Sequence, residues 1–277
     1  MEKTQRALRE NGIAGEIVVA DNGSTDGSQN IAISTGARVI RVAMKGYGNA
    51  LMGSIAAARG RYIIMGDADD SYDFLEIPRF VEKLRQGYEL VQGCRLPSGG
   101  GRVMPYAMPF LHRWWGNPMF SALARRWFNA PIHDVYCGLR GFTRVVQQRL
   151  QQRCTGIEFA TEMIIKASLY GVKIAEVPIT VHPDGRQSHA PHLKTFRDGW
   201  RTLRFFLMYC PRWLFLIPGA ALVMLGLAVN KWRLTGFGSL DYRDTLRWVV
   251  PGATLTALGV KTMLSSFFVS ILGMSRR

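Results

Sequence analysis

Short apolar runs alternate with helical stretches along most of the chain, and each run ends in a polar turn. The runs lie at residues 16–20, 38–42, 62–65, 89–94 and 172–181. Short runs of this composition are typical of strands that are buried on both faces of a sheet. Strands that alternate with helices wind into a mostly parallel sheet with helices on both faces. The pattern therefore predicts an α/β, Rossmann-like domain.

The third run leads straight into a cluster of carboxylates, the acidic turn of residues 66–73. Open α/β sheets bind their ligands at the carboxyl ends of strands, where this turn falls. Asp67 and Asp69 are two residues apart and repel each other, and a hard divalent cation relieves that repulsion. The pattern favours a cation site at this pair, with Asp70 and Asp73 as turn and helix-cap residues. The alternative is that Asp simply forms turns well.

The composition narrows the class of partner. The 277 residues carry a net charge of +15 and are 48% hydrophobic, which excludes a disordered chain and suggests an anionic partner. Because no basic run carries a nucleic-acid-binding motif, an anionic membrane or a phosphorylated substrate is favoured over nucleic acid. The four cysteines are far apart, which indicates reduced thiols in a cytoplasmic protein. The polar first residues do not resemble a secretion signal.

Helical patterns fill the segments between the strands. They lie at residues 2–11, 28–35, 49–59, 73–86, 110–128, 144–152 and 158–170. Two of these helices carry residues with two interpretations. Glu158 and Glu162 lie one turn apart and form either a site pair or a solvated face. Trp114 and Trp115 suit either the core or a membrane interface better than a platform for stacking bases.

A basic amphipathic helix is predicted over residues 194–209. Apolar residues at three- and four-residue steps form one stripe of this helix, and a basic stripe lies beside it. The basic stripe consists of Lys194, Arg197, Arg201 and Arg204. This composition is typical of a helix in an anionic membrane interface, and an ordinary surface helix is the alternative.

Two apolar runs follow, at residues 213–229 and 248–274. Both are long enough to cross a bilayer, and together they predict a two-span transmembrane hairpin. The predicted divisions of the chain are 1–192, 193–210 and 211–277. The basic first division and the terminal Arg276 and Arg277 lie on the same side of such a hairpin, which favours an inner (cell) membrane protein that is multi-pass, with its first division on the cytoplasmic side.

Six short motifs appear in the order that one enzyme family shows. They are VVADNGSTDGS at 18–28, GDADD at 66–70, GCR at 93–95, DVYCGLRGF at 134–142, EFATE at 158–162 and EVPI at 176–179. With these motifs the chain resembles the inverting family 2 glycosyltransferases, and among them the polyprenyl-phosphate (dolichyl-phosphate) mannosyl- and glucosyltransferases. The resemblance covers nearly the whole chain, including the basic helix and the two spans.

The resemblance implies a GT-A glycosyltransferase fold over the first division and a donor site at the carboxyl edge of its sheet. A nucleotide-diphosphate sugar would bind there with Mg²⁺ or Mn²⁺. Asp21 matches an acid that contacts the nucleotide, and Lys45 is a further candidate for donor binding. Asp67 matches the acid on the nucleotide side, and Asp69 matches the acid that holds the metal. Asp67 and Asp69 are together the predicted metal residues.

On the acceptor side, the resemblance implies basic residues around a lipid phosphate. Arg95 and Arg113 match residues near that phosphate, and Asn117 falls where the family often has Ser. Arg186 is retained further along, and Arg140 occupies a basic position after the Asp…Gly motif. The predicted catalytic residues are Asp69, Arg95, Arg113 and Arg140.

The implied reaction is inverting transfer of a hexose from a nucleotide sugar, either UDP-glucose or GDP-mannose, to polyprenyl phosphate at the cytoplasmic membrane face. A phosphate is ionised at neutral pH, so its oxygen attacks without a general base. The remaining problem is that one anion must approach another. A metal on the leaving diphosphate and arginines on the incoming phosphate would solve it. The sugar, the nucleotide and assembly as a homo-oligomer stay open, and no nucleic acid is expected.

The chain departs from the family in two places. The family begins with a central strand that ends in Pro-x-x-Asn-Glu, and this chain starts at the helix that follows, so the expected sheet lacks that strand. His192 stands where the family has Lys, which would weaken a phosphate contact at neutral pH. One alternative is therefore a truncated or inactive member that acts as a membrane partner of another protein. Another is a polysaccharide synthase, but Leu123 replaces the Gln of its Gln-x-x-Arg-Trp motif.

Overall fold

The computed structural model describes residues 1–185, 195–235 and 242–274. The chain divides into two compact units, Met1–Thr202 and Leu203–Arg277. The strands are β1 (Val18–Asp21), β2 (Arg38–Arg41), β3 (Tyr62–Met65), β4 (Leu90–Cys94), β5 (Arg102–Val103), β6 (Arg140–Thr143), β7 (Ile174–Pro178) and β8 (Thr180–Val181). The α-helices are α1 (Glu2–Glu10), α2 (Ser28–Ser34), α3 (Tyr47–Ala57), α4 (Ile77–Arg85), α5 (Asn117–Phe128), α6 (Arg144–Leu150), α7 (Glu158–Leu169), α8 (Thr195–Tyr209), α9 (Ile217–Thr235) and α10 (Tyr242–Met274). The α/β class of the first unit is as predicted.

The strands of the first unit form three sheets. The main sheet has the order β3-β6-β4-β7, and β1-β2 and β5-β8 are separate parallel pairs. The main sheet is mixed and not mostly parallel, because β6 runs antiparallel to both β3 and β4. The segment before β6 starts beside the carboxyl end of β4, where Asp134 binds Arg95, so the strand that follows has to run back across the sheet. Strand β3 lies at an edge of the main sheet, and β1 belongs to the separate pair β1-β2.

The predicted strand at 172–181 divides into two. Residues Ile174–Pro178 pair with β4 in parallel, and the ladder ends where Ile179 donates its N–H to the carbonyl of Cys94. Pro178 has no N–H to offer a neighbouring strand. The chain then turns, and β8 pairs with β5. This turn carries the chain from the main sheet to the acidic turn, because Tyr72 bridges Val181.

The core of the first unit lies on both sides of β4, which is buried at all of its positions. Phe80 and Leu84 of α4 pack on one side together with residues of β6 and β7. Helix α7 is buried along most of its length, and Phe159 and Met163 are fully enclosed. Each such side chain contributes about 1.5–3 kcal/mol of hydrophobic free energy. Strand β4 and helix α7 therefore form the packed centre of the first unit.

The second unit contains two helices that could each span a membrane. The candidate spans are Arg212–Lys231 and Leu246–Val269, with mean hydropathies of 2.0 and 1.2. Only 11% and 17% of these windows are buried, unlike the core helices of a soluble domain. They pack closely against each other, since a Cβ placed on Gly219 would lie 2.8 Å from the carbonyl oxygen of Gly259. The boundary between the compact units falls within α8, and the three predicted divisions of the chain stay a prediction.

Candidate active site

The acidic turn after β3 is closed by its own side chains. The carboxylate of Asp69 accepts from the backbone N–H of Ser71 at 3.1 Å and from its hydroxyl at 2.5 Å. Asp70 has a φ of 60°, which an aspartate tolerates in turns. Asp73 caps the short helix that follows by accepting from the N–H of Leu75. The last two acids therefore have the turn and cap roles expected of them.

Asp67, the first acid of the turn, is fixed from two sides. The hydroxyl of Tyr47 donates to its carboxylate at 3.1 Å. Gly138 lies so close that a Cβ added there would meet the other carboxylate oxygen at 2.6 Å. Burial and the charge of Asp67 raise the pKa of Tyr47 above its ordinary value, so the phenol stays a donor at all physiological pH values. The orientation of this carboxylate is thus set before any ligand binds.

The donor set of the turn fits a divalent cation. Asp67 and Asp69 offer two carboxylates, which is the number that Mg²⁺ usually takes from protein when substrate phosphates supply other ligands. Within the described residues, no three His, Cys, Asp or Glu side chains come together as a complete protein cage. The turn therefore suits a cation shared with a diphosphate.

The carboxyl ends of β1 and β2 are joined by Asn22. Its amide donates to the carbonyls of Val42 and Met44 at 3.0 and 2.8 Å, and its oxygen accepts from the N–H of Gly46 at 2.8 Å. These contacts hold the exposed Lys45 next to the turn after β1.

Asp21, the predicted nucleotide contact, is almost fully buried in the turn after β1. Its carboxylate accepts from the N–H groups of Gly23 and Ser24 and from the amide of Gln29. The hydrogen bonds from Ser24 lower the pKa of Asp21. In this structure the carboxylate shapes the turn, and a contact between Asp21 and a nucleotide stays a prediction.

Arg140 is fully buried, which corrects its prediction as a catalytic contact. Its guanidinium donates to the carbonyls of Cys137, Ala160 and Val135. Burial lowers the pKa of Arg140 from its ordinary value. A guanidinium enclosed by three carbonyls has no exposed face for a substrate. Arg140 instead holds the loop of residues 133–139, here called the support loop, on which Asp67 rests through Gly138.

The side chain of Arg95 also binds the support loop. Its Nε and Nη2 atoms bind the two carboxylate oxygens of Asp134 at 2.7 and 2.9 Å, and its backbone N–H reaches the same carboxylate. The Arg95 side chain is 12% exposed and that of Asp134 is fully buried. Although burial opposes the charged form, the charge of Asp134 raises the pKa of Arg95. Two N–H groups of Arg95 that were predicted to bind an acceptor phosphate therefore already donate to Asp134.

The support loop has further anchors that the sequence did not reveal. Glu176 accepts from the N–H groups of His133 and Asp134 and lies 2.7 Å from the His133 ring. The N–H of Gly138 donates to the hydroxyl of Tyr72 at 2.9 Å. The EVPI motif contains Glu176, so the motif marked a residue of the support without showing what it binds.

Glu162 resolves one of the open interpretations. It is 1% exposed, accepts from the N–H groups of Arg153 and Cys154, and pairs with Lys166 at 2.7 Å. It is thus neither a solvated face nor an open site. The next carbonyl, that of Thr155, accepts from the N–H of Gly48 beside Tyr47. Glu162 therefore supports the start of α3. Its neighbour on the helix, Glu158, pairs with Arg201 at 2.9 Å.

The remaining predicted residues lie on the helical segment before and within α5. The guanidinium of Arg113 lies 5.4 Å from the ring centroid of Trp114. Its Nε is buried and has no hydrogen-bond partner among the residues that the structure describes. Asn117, one turn later, is buried and donates to the sulfur of Met108 at 3.3 Å. Arg186 and His192 lie outside the described residues.

Replacing Tyr47 with Phe is expected to loosen Asp67 without unfolding the domain. The change removes one hydrogen bond to a charged group, worth about 1.5–3 kcal/mol. We expect affinity for the nucleotide sugar that the family resemblance implies to fall roughly tenfold, measured as its KM. Tyr62→Phe, on the half-buried start of β3, is the matched control. Equal KM values for the two variants would contradict a role for Tyr47 in orienting Asp67.

The acidic turn at the carboxyl edge of an α/β domain fits a glycosyltransferase of the GT-A type, and the sequence comparisons agree. Residues 2–150 match the model of glycosyl transferase family 2, so the chain belongs to that family. Residues 214–273 match the C-terminal transmembrane region of family 2 glycosyltransferases. The family prediction is thereby confirmed, together with the association with a membrane that the two apolar helices indicate.

Among curated relatives, the low-salt glycan biosynthesis hexosyltransferase Agl6 of Haloferax volcanii is 37% identical over 274 residues. The match covers 98% of this chain and 64% of that protein, so the chain spans less than two thirds of its length. The dolichyl-phosphate hexose transferase of the same organism is 34% identical over 163 residues, which cover 58% of this chain and 68% of that protein.

Solved structures share the fold. Glucosyl-3-phosphoglycerate synthase from Mycobacterium tuberculosis, in complex with Mn²⁺, UDP and phosphoglyceric acid, aligns with a TM-score of 0.59. The alignment covers 76% of this chain and 73% of that chain at 21% sequence identity. At this identity the likeness shows the GT-A-like fold and nothing about substrates. The fold prediction is confirmed.

Proposed function

We propose that this chain transfers a hexose from a nucleotide-diphosphate sugar to polyprenyl phosphate, with inversion at the sugar carbon. The observation that carries the proposal is the pair of carboxylates at the carboxyl end of β3, of which Asp67 is held by Tyr47 and Gly138. Similarity to a dolichyl-phosphate hexose transferase supports a lipid phosphate as the acceptor. UDP-glucose and GDP-mannose are the donors that we propose to test first.

The acidic turn would hold Mg²⁺ or Mn²⁺ through Asp67 and Asp69. When bound, the cation neutralises the diphosphate that leaves the sugar. The protein's own contribution is orientation: Tyr47 aligns Asp67, and Ser71 aligns Asp69. Arg140 lies behind the turn as a buried positive charge, since it pairs in register with Met65 at the end of β3. These residues are preorganised and need no rearrangement at the moment of transfer.

The acceptor phosphate would be bound by Arg113. Its buried Nε, which has no hydrogen-bond partner within residues 1–185, 195–235 and 242–274, is a donor that a phosphate oxygen would satisfy, and a buried donor without a partner is costly. Arg95 and Asn117 would then position this region without a primary contact, because both are already bonded within the protein. Since a phosphate is deprotonated at neutral pH, no general base is required.

Arg113→Gln is expected to raise KM for polyprenyl phosphate about 10- to 100-fold while KM for the nucleotide sugar stays unchanged. A charge-assisted hydrogen bond is worth about 1.5–3 kcal/mol, which gives a change of this size. Arg126→Gln, at an exposed position of α5, is the control. An unchanged acceptor KM in Arg113→Gln would exclude the residue as the phosphate ligand.

The chain would act at the inner (cell) membrane as a multi-pass protein with its first unit in the cytoplasm. This side supplies nucleotide sugars, and the candidate spans Arg212–Lys231 and Leu246–Val269 supply the attachment.

A screen of nucleotide sugars tests the proposal. The full chain in proteoliposomes, with Mn²⁺ and polyprenyl phosphate, should release nucleoside diphosphate from one donor much faster than from the others. Release that requires polyprenyl phosphate would support transfer. Release from no donor would favour the alternative of an inactive membrane partner protein.

A further inference from the structure

The segment before and within α5 exposes a band of large apolar side chains to solvent. The band consists of Tyr106, Phe110, Trp114, Trp115 and Met119, which are 98%, 73%, 58%, 68% and 49% exposed. Four of the five lie at four-residue steps, as Phe110–Trp114 and Trp115–Met119, so they share the outer face of a helical segment. We call these five residues the aromatic band.

This exposure settles the interpretation of the two tryptophans against a core role. Soluble monomers rarely leave large apolar side chains together on the surface without a partner. The rings contact each other and a cation instead of a core: Phe110 and Trp114 are 6.4 Å apart, and the Arg113 guanidinium lies 5.4 Å from Trp114. The band therefore requires something outside the first unit to cover it.

The charge around the aromatic band identifies the kind of partner. No acidic residue occurs from residue 96 to residue 133, whereas four arginines do. They are Arg102, Arg113, Arg125 and Arg126, of which three are exposed. Tyr and Trp concentrate at membrane–water interfaces, and Arg is attracted to anionic headgroups. A basic surface with aromatic residues thus matches an anionic lipid surface.

We propose that the aromatic band inserts into the headgroup region of an anionic bilayer and docks the first unit on the membrane. The same chain carries candidate membrane spans, which keep a bilayer at high effective concentration for any second contact. Since Arg113 adjoins Trp114, docking would bring the proposed phosphate ligand to headgroup level. The docking itself does not depend on the transfer reaction, so it is tested without an activity assay.

Photo-crosslinking tests the docking. A benzophenone amino acid is placed at Trp115 in the full chain, reconstituted in liposomes of phosphatidylcholine with phosphatidylglycerol, and adducts are identified by mass spectrometry. The matched control carries the same probe at Val145, which is 71% exposed on α6 of the same unit. We expect lipid adducts at residue 115 at least tenfold above those at residue 145, and a clear drop when phosphatidylglycerol is omitted.

Three results would overturn the proposal. Lipid adducts no more frequent at residue 115 than at residue 145 would remove the membrane contact. Adducts mainly to a second copy of the chain would make the band a protein–protein interface. Equal yields with and without phosphatidylglycerol would remove the role of anionic lipid. None of these readouts changes if the chain transfers no sugar.

Discussion

Asp69→Asn should lower the rate of hexose transfer about 10²- to 10³-fold, the loss typical when one preorganised electrostatic contact to the transition state is removed. Asn keeps an oxygen that can accept from the backbone N–H and hydroxyl of Ser71, so the turn is expected to persist. What disappears is the negative charge that would hold the divalent cation on the leaving diphosphate. The loss should therefore appear in kcat and in the Mn²⁺ concentration needed for half-maximal rate.

Asp70→Asn is the matched control for this experiment. It removes a charge from the next residue of the same turn, and Asn tolerates the φ of 60° found there. The exposed ion pair between Asp70 and Lys3 is lost, with little effect because exposed pairs contribute little. Transfer by Asp70→Asn should stay near the rate of the original chain. Similar transfer rates in Asp69→Asn and Asp70→Asn would show that the charge of Asp69 is not specifically required for transfer.

Asp134→Ala should destabilise the protein by about 3–5 kcal/mol, because it leaves a largely buried guanidinium without its partner. The Asp134 carboxylate also binds the backbone N–H groups of Arg95 and Tyr136, so the support loop loses three anchors together. For a domain of this size, the unfolding temperature should fall by roughly 10 °C. The lost support should also loosen Asp67, which rests on Gly138 of the same loop.

Thermal unfolding of the full chain in detergent, followed by tryptophan fluorescence, measures this effect. Glu10→Ala breaks the exposed Arg6–Glu10 pair of α1 and is the control, with no measurable shift expected. If the unfolding temperatures of Asp134→Ala and Glu10→Ala are equal, the ion pair between Arg95 and Asp134 is not what holds the support loop. Asp134→Asn, which keeps part of the hydrogen bonding, should fall between the two.

The acidic turn and the family membership could be derived from the sequence, because both depend on local order along the chain. A buried run followed by Asp67 and Asp69 is readable without knowing any distant contact. The two candidate membrane spans could also be predicted from the sequence, since their length and hydropathy define them. Four of the five predicted runs match observed strands to within two residues at each end, whereas the fifth divides into β7 and β8, and β5 and β6 were not predicted.

The roles of Arg95 and Arg140 could not be derived in the same way. In the sequence, both are basic residues within site motifs, as a phosphate ligand would be. Their actual partners are the carboxylate of Asp134 and the carbonyls of residues 135, 137 and 160, which come together only when the support loop folds against β4. Tyr47 was missed for the same reason, since its contact with Asp67 joins the start of α3 to the turn after β3.

The direction of β6 was another consequence of tertiary structure. No strand was predicted at residues 140–143, and the anchoring of the preceding loop at the end of β4 is what makes β6 antiparallel. The motif DVYCGLRGF therefore has a structural role. Its first six residues belong to the support loop, and its last three belong to β6, which pairs with β3.

A comparison of two acceptors tests the central claim most directly. The full chain in liposomes receives the labelled nucleotide sugar selected by the donor screen, with either polyprenyl phosphate or the matching polyprenol. A site without a general base predicts organic-soluble labelled hexose with the phosphate and none with the alcohol, because only the phosphate is already ionised at neutral pH. Equal labelling of the alcohol, or labelled product only in water, would contradict a lipid-phosphate hexosyltransferase.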